Sequence, residues 1–156
     1  MSPGTLHIHL HTQTLQLISG ESVLFSSPVS SGKAGTGSES GSGKTPTGRF
    51  SICAKIGAGE PQNTIFRSRL PAGSYPQRIP ADMDEQSDFI LTRILWLDGL
   101  EPGNANTRQR YIYIHGTNRT DLLGTPASCG CIRLSPHDML TLFDMVEEDT
   151  AVIIRP

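Results

Sequence analysis

The residues best suited to chemistry lie in two short runs, His115-Gly116-Thr117 and Ser128-Cys129-Gly130-Cys131-Ile132-Arg133, with sixteen positions from His115 to Cys131. Together they hold the parts of a thiol acyl-transfer site. A cysteine attacks as its thiolate, and a nearby imidazole or helix N-terminus can lower its pKa by several units from about 8.5. His115 is the candidate base and Cys131 the candidate nucleophile. Small residues at Ser128 and Gly130 let the backbone turn tightly, so amide N–H groups around Gly130 and Cys131 can point at a developing oxyanion. Loss of one such donor costs roughly 3 kcal/mol. On spacing alone a bland alternative stays open: free cysteines are among the most often buried residues, and both thiols can simply be packed.

Those runs need a rigid frame, and the surrounding pattern supplies one. Phe89 to Leu97 reads as a central buried strand, and Tyr111-Ile112-Tyr113-Ile114 as another that ends at His115. Ser135, Pro136 and Asp138 supply an N-cap, an N1 proline and a first-turn acid for a helix with Met139, Leu142, Phe143 and Val146 on one face. The cysteine run therefore stands just ahead of a helix. Upstream, Leu6, Ile8 and Leu10 alternate with histidines, and Leu15 and Leu17 with Thr14 and Gln16, which is the period of half-buried strands. A turn at Ser19-Gly20-Glu21-Ser22 leads into a third strand running toward Val29. Phe50 to Ala54 alternates again, and Thr150 to Ile154 closes the chain as a β-branched strand. Ser30 to Lys44 is nearly all small and polar, which predicts a mobile surface loop, and Gly57 to Ser87 is a Pro- and Gly-rich connection long enough to wall a substrate.

With 16 glycines, 11 prolines and 36% hydrophobic residues, the composition is that of a loop-rich, mainly β globular protein, and 156 residues suit one domain spanning 1–156. A net charge of -2 without a Lys/Arg cluster argues against nucleic acid as a partner. No apolar run is long enough to span a bilayer. No Lys or Arg precedes Lys33, and the early apolar residues alternate with histidines, so a signal-peptide pattern is missing and a cytoplasmic location is expected. Three cysteines leave an odd thiol under any pairing, which suits a reducing compartment. Nothing in the pattern specifies an oligomeric state.

Two other readings compete. Ser38 to Thr45 approaches a phosphate-binding loop, but Ser38 replaces its first glycine, no strong apolar strand precedes it, and Pro46 and Gly48 oppose the helix that would hold phosphate. His7, His9 and His11 share a strand face and could join Cys129 and Cys131 around a metal, yet nothing in the spacing brings that strand to the cysteine run.

The runs His115-Gly116-Thr117 and Ser-x-Gly-Cys-Ile-Arg, with Thr45-Pro46-Thr47-Gly48-Arg49-Phe50 upstream, resemble the active-site motifs of the L,D-transpeptidase (YkuD-type) family. The opening meander, Val29-Ser30-Ser31-Gly32-Lys33 and the closing strand are similar as well, so the resemblance covers essentially the whole chain. It implies a small β-sandwich of mixed sheets with one or two short helices, and no cofactor or metal. It implies that Cys131 attacks the bond between the L-centre of meso-diaminopimelate and a terminal D-alanine of a peptidoglycan stem peptide, giving a thioester. His115 falls on the base position, oriented by the carbonyl of Gly116 or Thr117, and Gly130 lies beside the nucleophile. Ser128, Thr117, Cys129 and Arg133 fall where substrate contacts are expected; Arg133 could grip a stem carboxylate or hold the loop by an ion pair. Cys129 stands where the family usually carries histidine, so the cleft wall differs here. Without an export signal the expected substrate is a soluble muropeptide and the expected acceptor is water, which makes the chain an L,D-carboxypeptidase. Transfer to an amine of a second stem or a D-amino acid is the alternative, and a non-catalytic cell-wall peptide or metal-binding module is the third.

Overall fold

The computed structural model describes residues 4–156, and residues 1–3 of the expected domain lie outside that range. The chain is mainly β, with mixed strand pairing and one α-helix, as expected. Strands β1 (Thr5–His9), β2 (Thr14–Ser19) and β3 (Ser22–Pro28) form the predicted meander, and β10 (Ala151–Arg155) pairs parallel with β1. From β10 the sheet continues antiparallel through β4 (Gly48–Ile56) to β7 (Ile90–Gly99). On its other edge β7 pairs with β8 (Tyr113–Gly116), which pairs parallel with β9 (Ile132–Leu134).

The sheet then curls back on itself. Ser30, just past β3, exchanges two backbone hydrogen bonds of 3.0 Å with Arg133 of β9, and Val29 N–H donates to Gln13 O at 2.9 Å. The two halves thereby enclose one apolar interior. Alternation decides what enters it: Leu6, Ile8, Leu15, Leu17, Val152 and Ile154 come from one half. Leu95, Leu97, Ile114, Ile132 and Leu134 come from the other. Helix α1 (Pro136–Met145) adds Met139, Leu142 and Phe143. Its N-terminus follows the cap expected from sequence, with Asp138 N–H donating to Ser135 Oγ at 3.1 Å; such a cap contributes about 1 kcal/mol. Lys55 Nζ closes the other end by donating to the carbonyls of Phe143 and Val146, both at 2.7 Å.

Two expectations need correction. The stretch from Ser30 to Lys44 is not free surface loop: Ser30, Ser31 and Gly32 are buried, and Thr36 bridges Thr45. Gly57 to Ser87 contains a hairpin, β5 (Thr64–Arg67) and β6 (Leu70–Ser74), which docks on β7 through Ile65 and Phe66. The cysteine run stands just ahead of the helix as expected, with Leu134 and the N-cap Ser135 between them, but its last two residues form the short strand β9; pairing with β8 captured residues that carry too little local signal to read as a strand. The near phosphate-loop is followed by strand β4 rather than a helix.

Candidate active site

Strand register assembles the site. In the parallel β8–β9 pair, Ile114 lies beside Ile132 and His115 beside Arg133, so Tyr113 stands beside Cys131. Ile114 and Ile132 point into the core. Period-2 alternation therefore turns Tyr113, His115, Cys131 and Arg133 to the opposite, outer face. Across β7, Trp96 pairs with Tyr113 and Ile94 with His115, extending that face.

His115 and Cys131 line one cavity of about 230 Å³ together with Asp88, Ile90, Ser128 and Cys129. His115 is buried, and its Nδ1 lies 2.7 Å from the carbonyl oxygen of Gly116. A carbonyl only accepts, so Nδ1 carries the proton and the lone pair is left on Nε2. Burial holds the imidazole below its ordinary pKa, with the Gly116 carbonyl opposing. Cys131 is half-buried; its Sγ accepts from Tyr113 N–H at 3.3 Å and donates to Tyr111 O at 3.5 Å. Loss of water around the sulfur pushes the thiol up to about 11, against the Tyr113 amide. The resting pair is a neutral thiol beside a neutral imidazole, and among the described residues no hydrogen bond joins them.

Close backbone approach explains Gly116. A Cβ there would lie 2.5 Å from Thr92 Oγ1 and 2.8 Å from Leu91 O. That crowding comes from an irregularity in β7 between Leu91 and Ile94, where Thr92 takes a φ of 79°. Gly130 has a φ of 122° in the turn before Cys131. Its N–H donates to Ser128 Oγ at 3.1 Å, and Ser128 Oγ–H donates on to Cys131 O at 2.7 Å. Ser128 thus shapes the turn as well as lining the cavity.

The segment read as a mobile loop holds this turn from outside. Ala127 and Ser128 N–H both donate to Ser31 O at 2.8 Å, and Lys33 N–H donates to Ser128 O at 2.9 Å. Buried Thr45 accepts from Gly32 N–H and donates to Gly130 O at 2.9 Å. Its place in the Thr-Pro-Thr-Gly run was the one signal for it. Asp88 had none: its carboxylate lines the cavity and pairs with Arg133 Nη1 at 2.8 Å. Arg133 is 1% exposed, and its Nη2 donates to Ser30 Oγ at 2.8 Å. Thr117 is not brought to the cavity; it is fully buried, its N–H donates to Leu134 O, and its Oγ1 accepts from Arg119 N–H. Cys129 is exposed at the cavity rim. His7 and His9 lie on β1 and His11 in the turn that follows it, and His7 Nδ1 is 2.8 Å from Arg155 Nη1. Among the described residues no three metal-ligating side chains converge, and no helix is long and apolar enough to cross a membrane.

Residues 3–154 match the family model for the L,D-transpeptidase catalytic domain, YkuD. A Bacillus subtilis protein named "Putative L,D-transpeptidase YqjB" is 28% identical over 110 residues, which is 70% of this chain and 51% of that one. L,D-transpeptidase 3 from Mycobacterium tuberculosis superposes with a TM-score of 0.62 at 16% identity, over 99% of this chain and 61% of that structure. An L,D-transpeptidase from Mycobacterium smegmatis gives a TM-score of 0.58 at 22% identity, over 99% and 59%. These structural likenesses concern the fold. The chain spans about half the length of its B. subtilis relative and about three fifths of those two solved chains. Since the family model covers nearly every residue, the chain belongs to the L,D-transpeptidase catalytic domain family.

Proposed function

We propose that this chain is a cysteine enzyme acting on peptidoglycan stem peptides, with Cys131 as nucleophile and His115 as base. One observation carries the reading: both side chains line the same small cavity, and Gly116 fixes the imidazole with its basic nitrogen free. A neutral thiol beside a neutral imidazole suits general-base activation at the moment of attack. Sγ bonds to the carbonyl carbon of the L-centre while its proton passes to His115 Nε2. The carbonyl electrons move to oxygen, where amides of the Gly130-Cys131 turn stabilise the charge, Gly130 N–H being shared with Ser128 Oγ. Collapse expels the D-alanine amine, which takes the proton from Nε2 and leaves a thioester.

For the second half-reaction water is the preferred acceptor. It attacks the thioester carbon, Nε2 takes its proton, and the thiol leaves with that proton, so the product is a tripeptide. The cavity of about 230 Å³ favours a small acceptor, and Cys129 alters the wall beside the nucleophile. Transfer to an amine is the second reading. Cys129 also borders a cleft of about 480 Å³ with Tyr111 and Arg110, and another of about 490 Å³ with Lys33 and Ala127, which offer room for a second stem.

The test incubates the protein with tetrapeptide stems, with and without a D-amino acid or second stem, and weighs the products. Tripeptide plus free D-alanine in both mixtures supports the carboxypeptidase; dominant exchange or dimer products overturn it in favour of transfer. Absence of turnover together with a thiol inert to haloacetamide would return the chain to a non-catalytic module.

A further inference from the structure

Across Tyr113 from the thiol, on the same outer face, two arginines converge on one indole. The Arg69 guanidinium carbon lies 5.0 Å from the Trp96 ring centre and 5.2 Å from that of Tyr111. That of Arg108 lies 5.3 Å from Trp96. Arg69 Nη1 donates to the Tyr113 hydroxyl at 3.0 Å, and Trp96 Nε1 donates to the Arg108 carbonyl at 3.1 Å. Neither arginine forms an ion pair among the described residues, although Asp98 follows two positions beyond Trp96 on the same strand face. Two cations are thus held against one ring without a carboxylate between them, an arrangement that an incoming anion completes.

The backbone is strained to build it. Ser68 and Arg69 form the two-residue turn between β5 and β6 with φ of 50° and 66°. Such turns favour Asn-Gly, and an L side chain in the left-handed region costs about 1–2 kcal/mol. Tyr111, 53% exposed, has a φ of 56°, which is unusual for a bulky residue. Strain of this kind persists where surrounding structure and function hold it. Tyr111 and Tyr113 also supply both hydrogen bonds to Cys131 Sγ, so the cluster and the thiol share one backbone segment.

Distance sets what the anion is. Trp96 and Cys131 flank Tyr113 on neighbouring strands, which puts their backbones two strand spacings, about 10 Å, apart. An extended peptide advances about 3.3–3.6 Å per residue, and two side chains add reach. A stem whose second residue is joined through its side-chain carboxyl keeps a free α-carboxylate one residue before the attacked centre. We propose that Arg69 and Arg108, braced on Trp96, bind this carboxylate of the acyl donor. The inference rests on the reading of Cys131 as a stem-peptide nucleophile.

Trp96 is the chain's one tryptophan, so its fluorescence reports the subsite without catalysis. The tripeptide stem, which lacks the terminal D-alanine, is titrated with its second-residue α-carboxylate free or amidated. The free form should change Trp96 emission, and amidation, Arg69→Gln or Arg108→Gln should each weaken binding at least about 10-fold. Arg69→Lys, which keeps the charge and guards against loss of fold, should recover part of the affinity. On the free tetrapeptide both Gln variants should raise KM by a similar factor while kcat stays within about twofold. Equal binding of free and amidated tripeptide, or unchanged affinity in both Gln variants, overturns the subsite even if the enzyme cleaves. Carboxylate-dependent binding without any turnover keeps the subsite and removes the proposed catalysis instead.

Discussion

The β1–β2–β10 half of the sheet and the β7–β8–β9 half bury their inner faces in the same way but differ in backbone regularity. β1 pairs with β2 and β10 without a break in register, and its outer residues are the histidines of a plain strand face. The other half carries the shift at Thr92, the crowded Gly116, the left-handed Tyr111 and the turn at Gly130. The first half keeps its departures in turns, at Gln13 and Asp149, and at the β2–β3 shift by Leu17 and Ile18, whereas in the second they fall where side chains must converge rather than merely alternate. A regular sheet repeats one environment along each face; strain and small residues are what allow an imidazole, a thiol and a tight turn to meet.

The largest effect that would break this contrast is at the thiol. Cys131→Ala and Cys131→Ser should abolish product formation, while Cys129→Ala, two positions away, should keep a substantial fraction; full activity in Cys131→Ala would sink the assignment. His115→Ala should lower kcat/KM at least about 100-fold, because in the proposed mechanism one group both activates the thiol and protonates the leaving amine. Replacing His7, His9 or His11 in the regular half should leave the rate nearly unchanged. Loss of turnover on their combined removal, or on adding chelator, would bring back a metal role.

Gly116→Ala against Gly20→Ala compares the halves through stability. A Cβ at Gly20 meets nothing within 4 Å, so only its φ of 60° is penalised, by about 1 kcal/mol. At Gly116 the methyl meets the Leu91 carbonyl and Thr92 at under 3 Å, which adds about 1–3 kcal/mol and displaces the carbonyl that orients His115. Denaturant midpoints and rates should therefore fall together at Gly116 and neither should fall far at Gly20.

The smallest expected effect is in pH. In the proposed mechanism His115 acts as the neutral base, and burial lowers its pKa, so the acid limb of kcat/KM should lie below the ordinary histidine value of 6.5. For stability the sign is the same: a depressed imidazole pKa favours the folded state above the unfolded value and loses that contribution as pH falls through it. The raised thiol works in the other direction, its contribution being present below its ordinary value of 9.0 and lost as pH rises toward about 11. An acid limb above 6.5 would show that the Asp88 carboxylate, which shares the cavity and raises the imidazole pKa, outweighs burial.

Much of the frame was legible because its causes are local. Alternation marked β1 and β2, a nearly continuous apolar run marked β7, and Ser135-Pro136 with Asp138 marked the helix start, since a cap needs only neighbours a few positions apart. His115 and Cys131 could be singled out from residue type and spacing, and from the resemblance those carried. The β5–β6 hairpin was not legible: Pro71 and Gly73 interrupt its pattern, and Ser68-Arg69 is not a typical hairpin turn. Nor could composition show that Ser30 to Thr45 cradles the cysteine turn, since Thr45 and Gly130 lie 85 positions apart. The sequence by itself determined which residues face inward, where the helix starts and which side chains can do chemistry, because these follow from periodicity, capping and functional groups. Only the tertiary structure decided that Asp88 faces the cavity, that Thr117 is buried away from it, that Gly116 rather than Thr117 orients His115, and that two arginines meet on Trp96. Each of those depends on strand register and loop closure across distant segments, and a shift of one residue would turn the same side chains to the other face.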